Sequence, residues 1–411
     1  MGMIVQKFGG TSLGTIERIL KAADKIIAVK QKGNDVVVVV SAMGKSTDVL
    51  VDMAKEICYE VPEREMDMLL STGEQVSIAL LSMAIQRKGY SAVSLTGWQA
   101  GILTESQHSN ARIKDIDTFK IMSNIRLGKI VIVAGFQGIT ENGEITTLGR
   151  GGSDTTAVTL AASLNADLCE IYTDVDGVYT ADPSIVSAAR KLNSISFDEM
   201  LEMSKLGAGV LHQRAVKCAK KYKVRLTVRS TFSSENGTFI QEDTGMEKER
   251  LVCGIPHNEN VVVINITNFP NEADSLYSLF SILMQSRIYV DFINQNSYDL
   301  PRITLSFTVT REDERKSLKL LLANKERLGF HRVYTDAGLS QVSIVGTGLF
   351  SAADIVPKMF TALAFANVFA KMISTSENKV SCLVPSDKLV TVVKSLHSTF
   401  GLDAVGLSIV H

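Results

Sequence analysis

Five consecutive valines, Val36–Val40, constrain this chain more than any other feature. A run of β-branched residues too short for a helix, apolar at every position, is a strand buried on both faces. Both faces of a sheet are covered only when helices pack above and below it. The flanking sequence supplies them: Ile16, Ile19, Leu20, Ala23, Ile26 and Ile27 recur at helical spacing within Ile16–Gln31. Further strands are expected at Ile4–Phe8, Ala92–Leu95, Ile130–Ala134 and Leu168–Tyr172. Helices are expected at Asp48–Ile57, Glu74–Lys88, Asp154–Leu164, Phe197–Leu206 and Leu211–Tyr222. This alternation predicts an α/β domain with a mostly parallel sheet. Glu141-Asn142-Gly143, inside Ile139–Thr147, predicts a hairpin beside that sheet.

The alternation ends near Glu235. Residues 235–255 are rich in polar and charged side chains and read as a linker, which divides a first domain (1–234) from the carboxyl-terminal region. That region holds an internal repeat, with the order starting at Val262 and restarting at Val342, 80 residues later. Each copy has the β-α-β-β-α-β order of a ferredoxin-like module, giving modules at 256–335 and 336–411.

With 411 residues, such a chain has room for two or three domains. Its 43 Lys plus Arg against 44 Asp plus Glu leave no basic surplus for general nucleic-acid binding. The five cysteines are widely spaced with no C-x-x-C, and the six histidines are scattered, so no metal is expected to be held by protein ligands. Reduced cysteines, no signal architecture at Met1–Phe8 and no apolar run of about 20 residues predict a cytoplasmic protein that does not engage a membrane.

The chemistry-bearing residues cluster at strand ends. Lys7-Phe8-Gly9-Gly10-Thr11-Ser12 joins the first strand to the first long helix. Two glycines permit close backbone approach, the following amides form an anion site, and Lys7 adds a cation at its rim. A plain tight turn is the alternative reading. Leu148-Gly149-Arg150-Gly151-Gly152-Ser153-Asp154 again precedes a helix, with Ser153 as a cap candidate; an arginine among three glycines suits bidentate capture of a carboxylate or phosphate. Thr173-Asp174-Val175-Asp176-Gly177 follows a buried strand, where open α/β sheets bind ligands. A calcium loop is excluded there because the twelfth position, Ile185, carries no carboxylate. Ser41-Ala42-Met43 and Ser71-Thr72-Gly73-Glu74 sit at further junctions, with Glu74 expected at a helix start.

In order along essentially the whole chain, KFGGTS, SAM, TGE, TLGRGGSDTTA and TDVDGVYTADP resemble the motifs of the aspartate kinases, particularly the short monofunctional enzymes of Bacillus-like bacteria. The resemblance implies an amino-acid kinase domain followed by two ACT modules. It implies transfer of a phosphoryl group from ATP, with Mg²⁺ held mainly by the nucleotide phosphates, to the side-chain carboxylate of L-aspartate. That reaction opens the routes to lysine, methionine and threonine. By motif, Lys7 neutralises the transferring group, Gly9 and Gly10 donate amides, and Asp154 orients Lys7. Arg150 clamps the substrate α-carboxylate and Glu74 meets its ammonium, with Ser41, Thr47, Phe136, Gly151, Gly152 and Ser153 lining the site. Phe8, Thr173, Asp174, Tyr179 and Ser184 complete the ATP site. The effector set is Asn268, Asn294, Gln295, Ser374, Thr375 and Glu377, with lysine, alone or with threonine, as the expected ligand. A homodimer or higher oligomer through the ACT modules is implied, and Met246 is placed for an internal start that would yield a separate ACT subunit.

The sequence departs from the family pattern in three places. Ser184 stands where an arginine commonly helps bind ATP, and Gly209 where lysine is common, which predicts a raised KM for ATP. The turns Asn268-Phe269-Pro270-Asn271 and Ser351-Ala352-Ala353-Asp354 lack the usual Asp-x-Pro-Gly pattern of effector binding. Competing readings are a kinase for another amino acid and an inert amino-acid sensor built on the ACT pair. Retention of Lys7, Arg150 and Asp154 together disfavours the sensor.

Overall fold

The computed structural model describes residues 2–58, 60–206, 210–242, 251–296, 300–349 and 353–403. Gly209, Met246 and the Ser351-Ala352 turn therefore lie outside the described residues. The chain divides into two compact units: Met1–Val178 with Lys191–Glu247, and Tyr179–Arg190 with Lys248–His411.

The first unit is organised by an eight-stranded sheet. The valine strand, Asp35–Val40, pairs in parallel with Met3–Phe8 on one side and Ile130–Ala134 on the other. All five valines are fully buried, each contributing about 1.5–3 kcal/mol relative to exposure. Met3–Phe8 also pairs in parallel with Leu168–Thr173, which pairs with Leu226–Ser230. Strands that follow Met3–Phe8 directly lie to one side of it and those late in the chain to the other. The crevice at its carboxyl end is thus a topological switch point, where such sheets bind ligands. Thr238–Gln241, expected within the linker, instead pairs antiparallel with Leu226–Ser230 and extends this sheet. Thr238 and Ile240 are fully buried there, so the polar composition around them conceals a strand with one apolar face.

The helix expected at Glu74–Lys88 in fact runs from Glu63 to Arg87, so Glu74 is mid-helix rather than at a start. Pro62 precedes it, and Glu63 and Glu65 complement its dipole in the first turn. Gly73 suggests a junction in the sequence, yet it serves close packing, since a Cβ there would lie 2.8 Å from Ala42 Cβ. This helix is long and apolar enough to cross a membrane by length and composition, but Asp67, Glu74 and Leu81 are buried inside the unit, which is how a core helix reads. The Gln137–Ile139/Ile145–Thr147 hairpin forms as expected from its turn, but within a separate four-stranded sheet rather than along the main one.

The second unit holds two antiparallel four-stranded sheets. The first runs Ile293–Gln295, Arg302–Val309, Val262–Pro270, Arg332–Asp336, the ferredoxin-like order. The second has the same order, but its fourth position is filled by His257–Asn258 pairing with Leu339–Val345. That strand lies at the start of the 256–335 span, so residues grouped with the first module by position serve the sheet of the second. Tyr179–Arg190, expected in the first domain, also packs here, with Ala181 and Val186 in the core formed by Val342, Ile344, Val392 and Leu396.

Candidate active site

Four carboxyl-terminal strand ends of the main sheet deliver the motif residues to one rim. Lys7 is the penultimate residue of its strand, and its Nζ lies 2.6 Å from Asp154 Oδ1, with both side chains nearly buried. Asp154 is in the first turn of the Gly152–Ser163 helix. The cap of that helix is Gly151 in the left-handed region, at φ 68°, and not Ser153, which is buried one position inside the helix. Gly135 makes room for Ser153, since a Cβ on it would stand 2.8 Å from Ser153 Oγ.

Gly9 N–H donates to Tyr172 O at 3.2 Å, so of the two expected amides Gly10 alone lacks an acceptor among the described residues. Gly10 is needed for close approach, since a Cβ would meet Ala42 O at 2.7 Å. The Phe8 side chain does not reach the rim. It is fully buried and stacked on Tyr172 with ring centroids 4.7 Å apart, so its side chain is core. Thr173 and Asp174 end the neighbouring strand, the hydroxyl of Thr173 donating to Asp174 Oδ1 at 3.0 Å. Tyr179 and Ser184 belong to the segment that packs in the second unit, where Ser184 is exposed and bonded to Asp182.

Of the residues expected to line the substrate site, Ser41 follows the valine strand and Thr47 lies in the first turn of Ser46–Ile57. Ala42 N–H donates to Glu74 Oε1 at 3.0 Å, while Glu74 Oε2 is buried without a partner among the described residues. Burial pushes the Glu74 carboxyl up to about 7, against the pull of the Ala42 amide. A buried carboxylate with one free oxygen is a receptor for a cation. Arg150 is the complement: exposed, between left-handed Gly149 and Gly151, with neither hydrogen bond nor ion pair among the described residues. Phe136 adopts φ 69°, a conformation costing about 1–3 kcal/mol in a non-glycine residue. Its N–H donates to Thr156 Oγ1 and its carbonyl accepts from Leu148 N–H, fixing it beside Gly152, where a Cβ would touch its ring at 2.9 Å.

Of the residues expected to bind an effector, Asn294 and Ser374 line a cleft of 290 Å³ between the edge strands of the two modules, with Phe292, Lys371 and Met372. Asn268 has φ 55° at an irregularity in its strand, and Gln295 donates to Asn271 Oδ1 at 2.7 Å. Thr375 and Glu377 are exposed nearby in sequence.

Sequence reasoning does not single out Asp67, which is fully buried in mid-helix and accepts from Thr147 Oγ1 at 2.5 Å and Ser109 N–H at 2.9 Å. The available signal is its spacing: Asp67 and Glu74 stand seven residues apart on one face of the helix, the face that also carries the buried Leu70, Ile78 and Leu81.

Residues 2–230 match the amino acid kinase family and residues 342–400 an ACT domain. The chain is 54% identical to aspartokinase 2 of Bacillus subtilis over 402 residues, covering 98% of each. Among solved structures, E. coli aspartokinase III in complex with aspartate and ADP is similar at a TM-score of 0.80 and 26% identity, over 97% of this chain and 99% of that one. The same enzyme in complex with lysine and aspartate gives a TM-score of 0.76 over the same shares.

Proposed function

The chain belongs to the aspartokinases of the amino acid kinase family, phosphotransferases that act on a carboxyl group, and from that premise we propose how its residues carry out the reaction. The observation that carries the reading is that, among the described residues, the Arg150 guanidinium and one buried oxygen of Glu74 both lack a partner. These match the α-carboxylate and α-ammonium of an unblocked amino acid.

The acceptor needs no general base. An aspartate side chain has an ordinary pKa of about 3.9 and is ionised at neutral pH. One of its oxygens attacks the γ-phosphorus of ATP, the bond to the β,γ-bridging oxygen breaks, and 4-phospho-L-aspartate and ADP leave. The difficulty is bringing two anions together, so positioning and electrostatics dominate. Lys7, steered by Asp154, faces the transferring group, and the Gly10 amide adds a donor. Mg²⁺ suits oxygen donors and keeps several waters, so the nucleotide phosphates would hold it and it would offset their charge. Thr173 and Asp174 would meet the nucleotide; Tyr179 and Ser184, expected by motif in the same role, belong to the other compact unit. Serine in place of arginine at position 184 leaves one cation fewer and supports a raised KM for ATP.

This activity would open lysine, methionine and threonine biosynthesis in the cytoplasm. Feedback by lysine, with or without threonine, is supported by the lysine complex of the E. coli relative and by the cleft holding Asn294 and Ser374. A homodimer through the ACT modules fits the edge strands Ile293–Gln295 and Met372–Thr375, one in each module's sheet. A separate ACT subunit started at Met246 belongs to the same reading.

The test is ATP turnover with L-aspartate and Mg²⁺, trapping the acyl phosphate as its hydroxamate, with glutamate and Lys7→Met as controls. Hydroxamate that depends on aspartate and vanishes in the variant supports the reading. Equal product from glutamate, or an unaffected Lys7→Met, overturns it.

A further inference from the structure

Arg150 leaves the hairpin strand Ile145–Thr147 and enters the Gly152–Ser163 helix through two left-handed glycines, Gly149 at φ 74° and Gly151 at φ 68°. Such a loop has no ladder of its own to hold it, so its geometry depends on the groups that touch its backbone. Arg214, in the first turn of Gln213–Tyr222, touches it directly. Its guanidinium donates to Leu148 O, to Asn110 Oδ1 at 3.0 Å and to Ala111 O at 2.9 Å. Among the described residues no acidic group pairs with it, and these three acceptors are neutral oxygens. Asp67 holds the same strip one residue earlier, accepting from the Thr147 hydroxyl at 2.5 Å, from Ser109 N–H at 2.9 Å, and standing 3.1 Å from His108 Nδ1. Ala111 N–H donates to Thr147 O at 2.9 Å between the two.

The 108–111 strip is thus stapled to 147–148 at both ends, immediately before Arg150. His212, two residues before Arg214, closes the other side: a Cβ on Gly151 would lie 2.1 Å from His212 Cβ. Burial, reinforced by Arg214 and Arg150 and opposed by Asp154, lowers the His212 pKa, so at neutral pH it is an uncharged wall.

We propose that Arg214 and Asp67 are positioning residues for substrate recognition: by clamping the Thr147 side chain and the Leu148 carbonyl they hold the Arg150 guanidinium where the α-carboxylate binds, and so set aspartate affinity and not the nucleotide step. This rests on the reading of Arg150 as the carboxylate clamp. Three acceptors in a fixed fork demand a planar donor, so lysine does not replace Arg214.

The experiment uses the full chain and steady-state kinetics with aspartate and ATP varied separately. Arg214→Gln, Arg214→Lys and Asp67→Asn are each expected to raise the aspartate KM about tenfold, a typical effect of breaking one buried charge-assisted network. The ATP KM should stay within about twofold, and adding Arg150→Lys to Arg214→Gln should raise the aspartate KM by less than the product of the single changes. Should Arg214→Gln fail to fold, the lysine and Asp67 variants carry the same test. Aspartate and ATP KM rising together, full rescue by Arg214→Lys, or multiplicative effects with Arg150→Lys would overturn the proposal. If Arg150→Lys alone leaves the aspartate KM unchanged, the carboxylate-clamp reading fails, and this inference with it.

Discussion

Glu74 Oε1 accepts the amide of Ala42 at 3.0 Å while its other oxygen, buried in the same wall, has no partner among the described residues. That bond joins a helix to the loop after the valine strand, and the orphaned oxygen is a local demand for a ligand.

Glu74 sets a pH dependence. Burial raises its carboxyl from the ordinary 4.5 to about 7, so between those values the folded protein holds a proton that the unfolded chain releases. Its contribution to stability is therefore greatest below about 4.5 and falls as pH rises to about 7, by up to about 3 kcal/mol. Binding an ammonium requires the ionised form. The aspartate KM should fall as pH rises from 6 to 8, steepening toward tenfold per unit below the pKa. Measured in Glu74→Gln, the profile should be flat and the KM raised; an unchanged slope would remove Glu74 from ammonium binding.

Lys7 and Asp154 form a nearly buried pair, so removing one partner strands the other. Lys7→Met should lower kcat by about 10²–10³-fold. It should also destabilise the first unit by about 3–5 kcal/mol, because Asp154 is left as an uncompensated buried charge. Lys7→Met/Asp154→Asn should recover stability but not activity. Urea unfolding of the single and double variants, alongside turnover, separates the two effects.

Gly151 has no room for a side chain and a backbone that disfavours one. Gly151→Ala should cost at least about 1–3 kcal/mol from left-handed strain alone and should raise the aspartate KM by displacing the loop. The clash is with His212 Cβ, so His212→Gly in the same chain should restore part of the lost affinity. Isothermal titration with aspartate would read this, and no recovery would mean that strain, not crowding, dominates.

Thr180 Oγ1 and His397 Nε2 lie 2.9 Å apart, both side chains almost fully buried, and join the Tyr179–Arg190 segment to the last helix of the second module. Thr180→Val should cost about 1–3 kcal/mol by leaving the imidazole unsatisfied and removing the acceptor of the Arg190 N–H. Thr180→Val/His397→Leu should cost less than the sum of the single changes. Additive values in thermal unfolding would show that the pair does not interact.

Much is legible from local pattern. The valine strand, the helix before it and the hairpin turn at Asn142-Gly143 follow from side-chain period and backbone preference, which the sequence carries residue by residue. Lys7, Arg150, Asp154 and Asp174 stand at strand and helix ends, where α/β sheets present their ligands, and motif order identifies their family. Phe8 shows the boundary of that reasoning. It adjoins Lys7 in sequence, but strand alternation turns it to the opposite face, against Tyr172. The roles of Asp67 and Arg214 are not legible because their partners, at Thr147, Ser109, Leu148 and Ala111, lie tens of residues away. Gly73 looks like a helix boundary because its reason for being glycine, the methyl of Ala42, lies on another element.

The chain alone determined most of the main-sheet strands and helices and the chemistry at their ends, since periodicity, turn residues and ionisable groups are local properties. Only the tertiary structure decided that Glu74 is buried enough to titrate near neutrality, that His257–Asn258 completes the second module's sheet, and that Tyr179–Arg190 packs into that module's core. Desolvation, close approach and strand pairing depend on distances between residues far apart in sequence, and those distances exist only once the chain is folded.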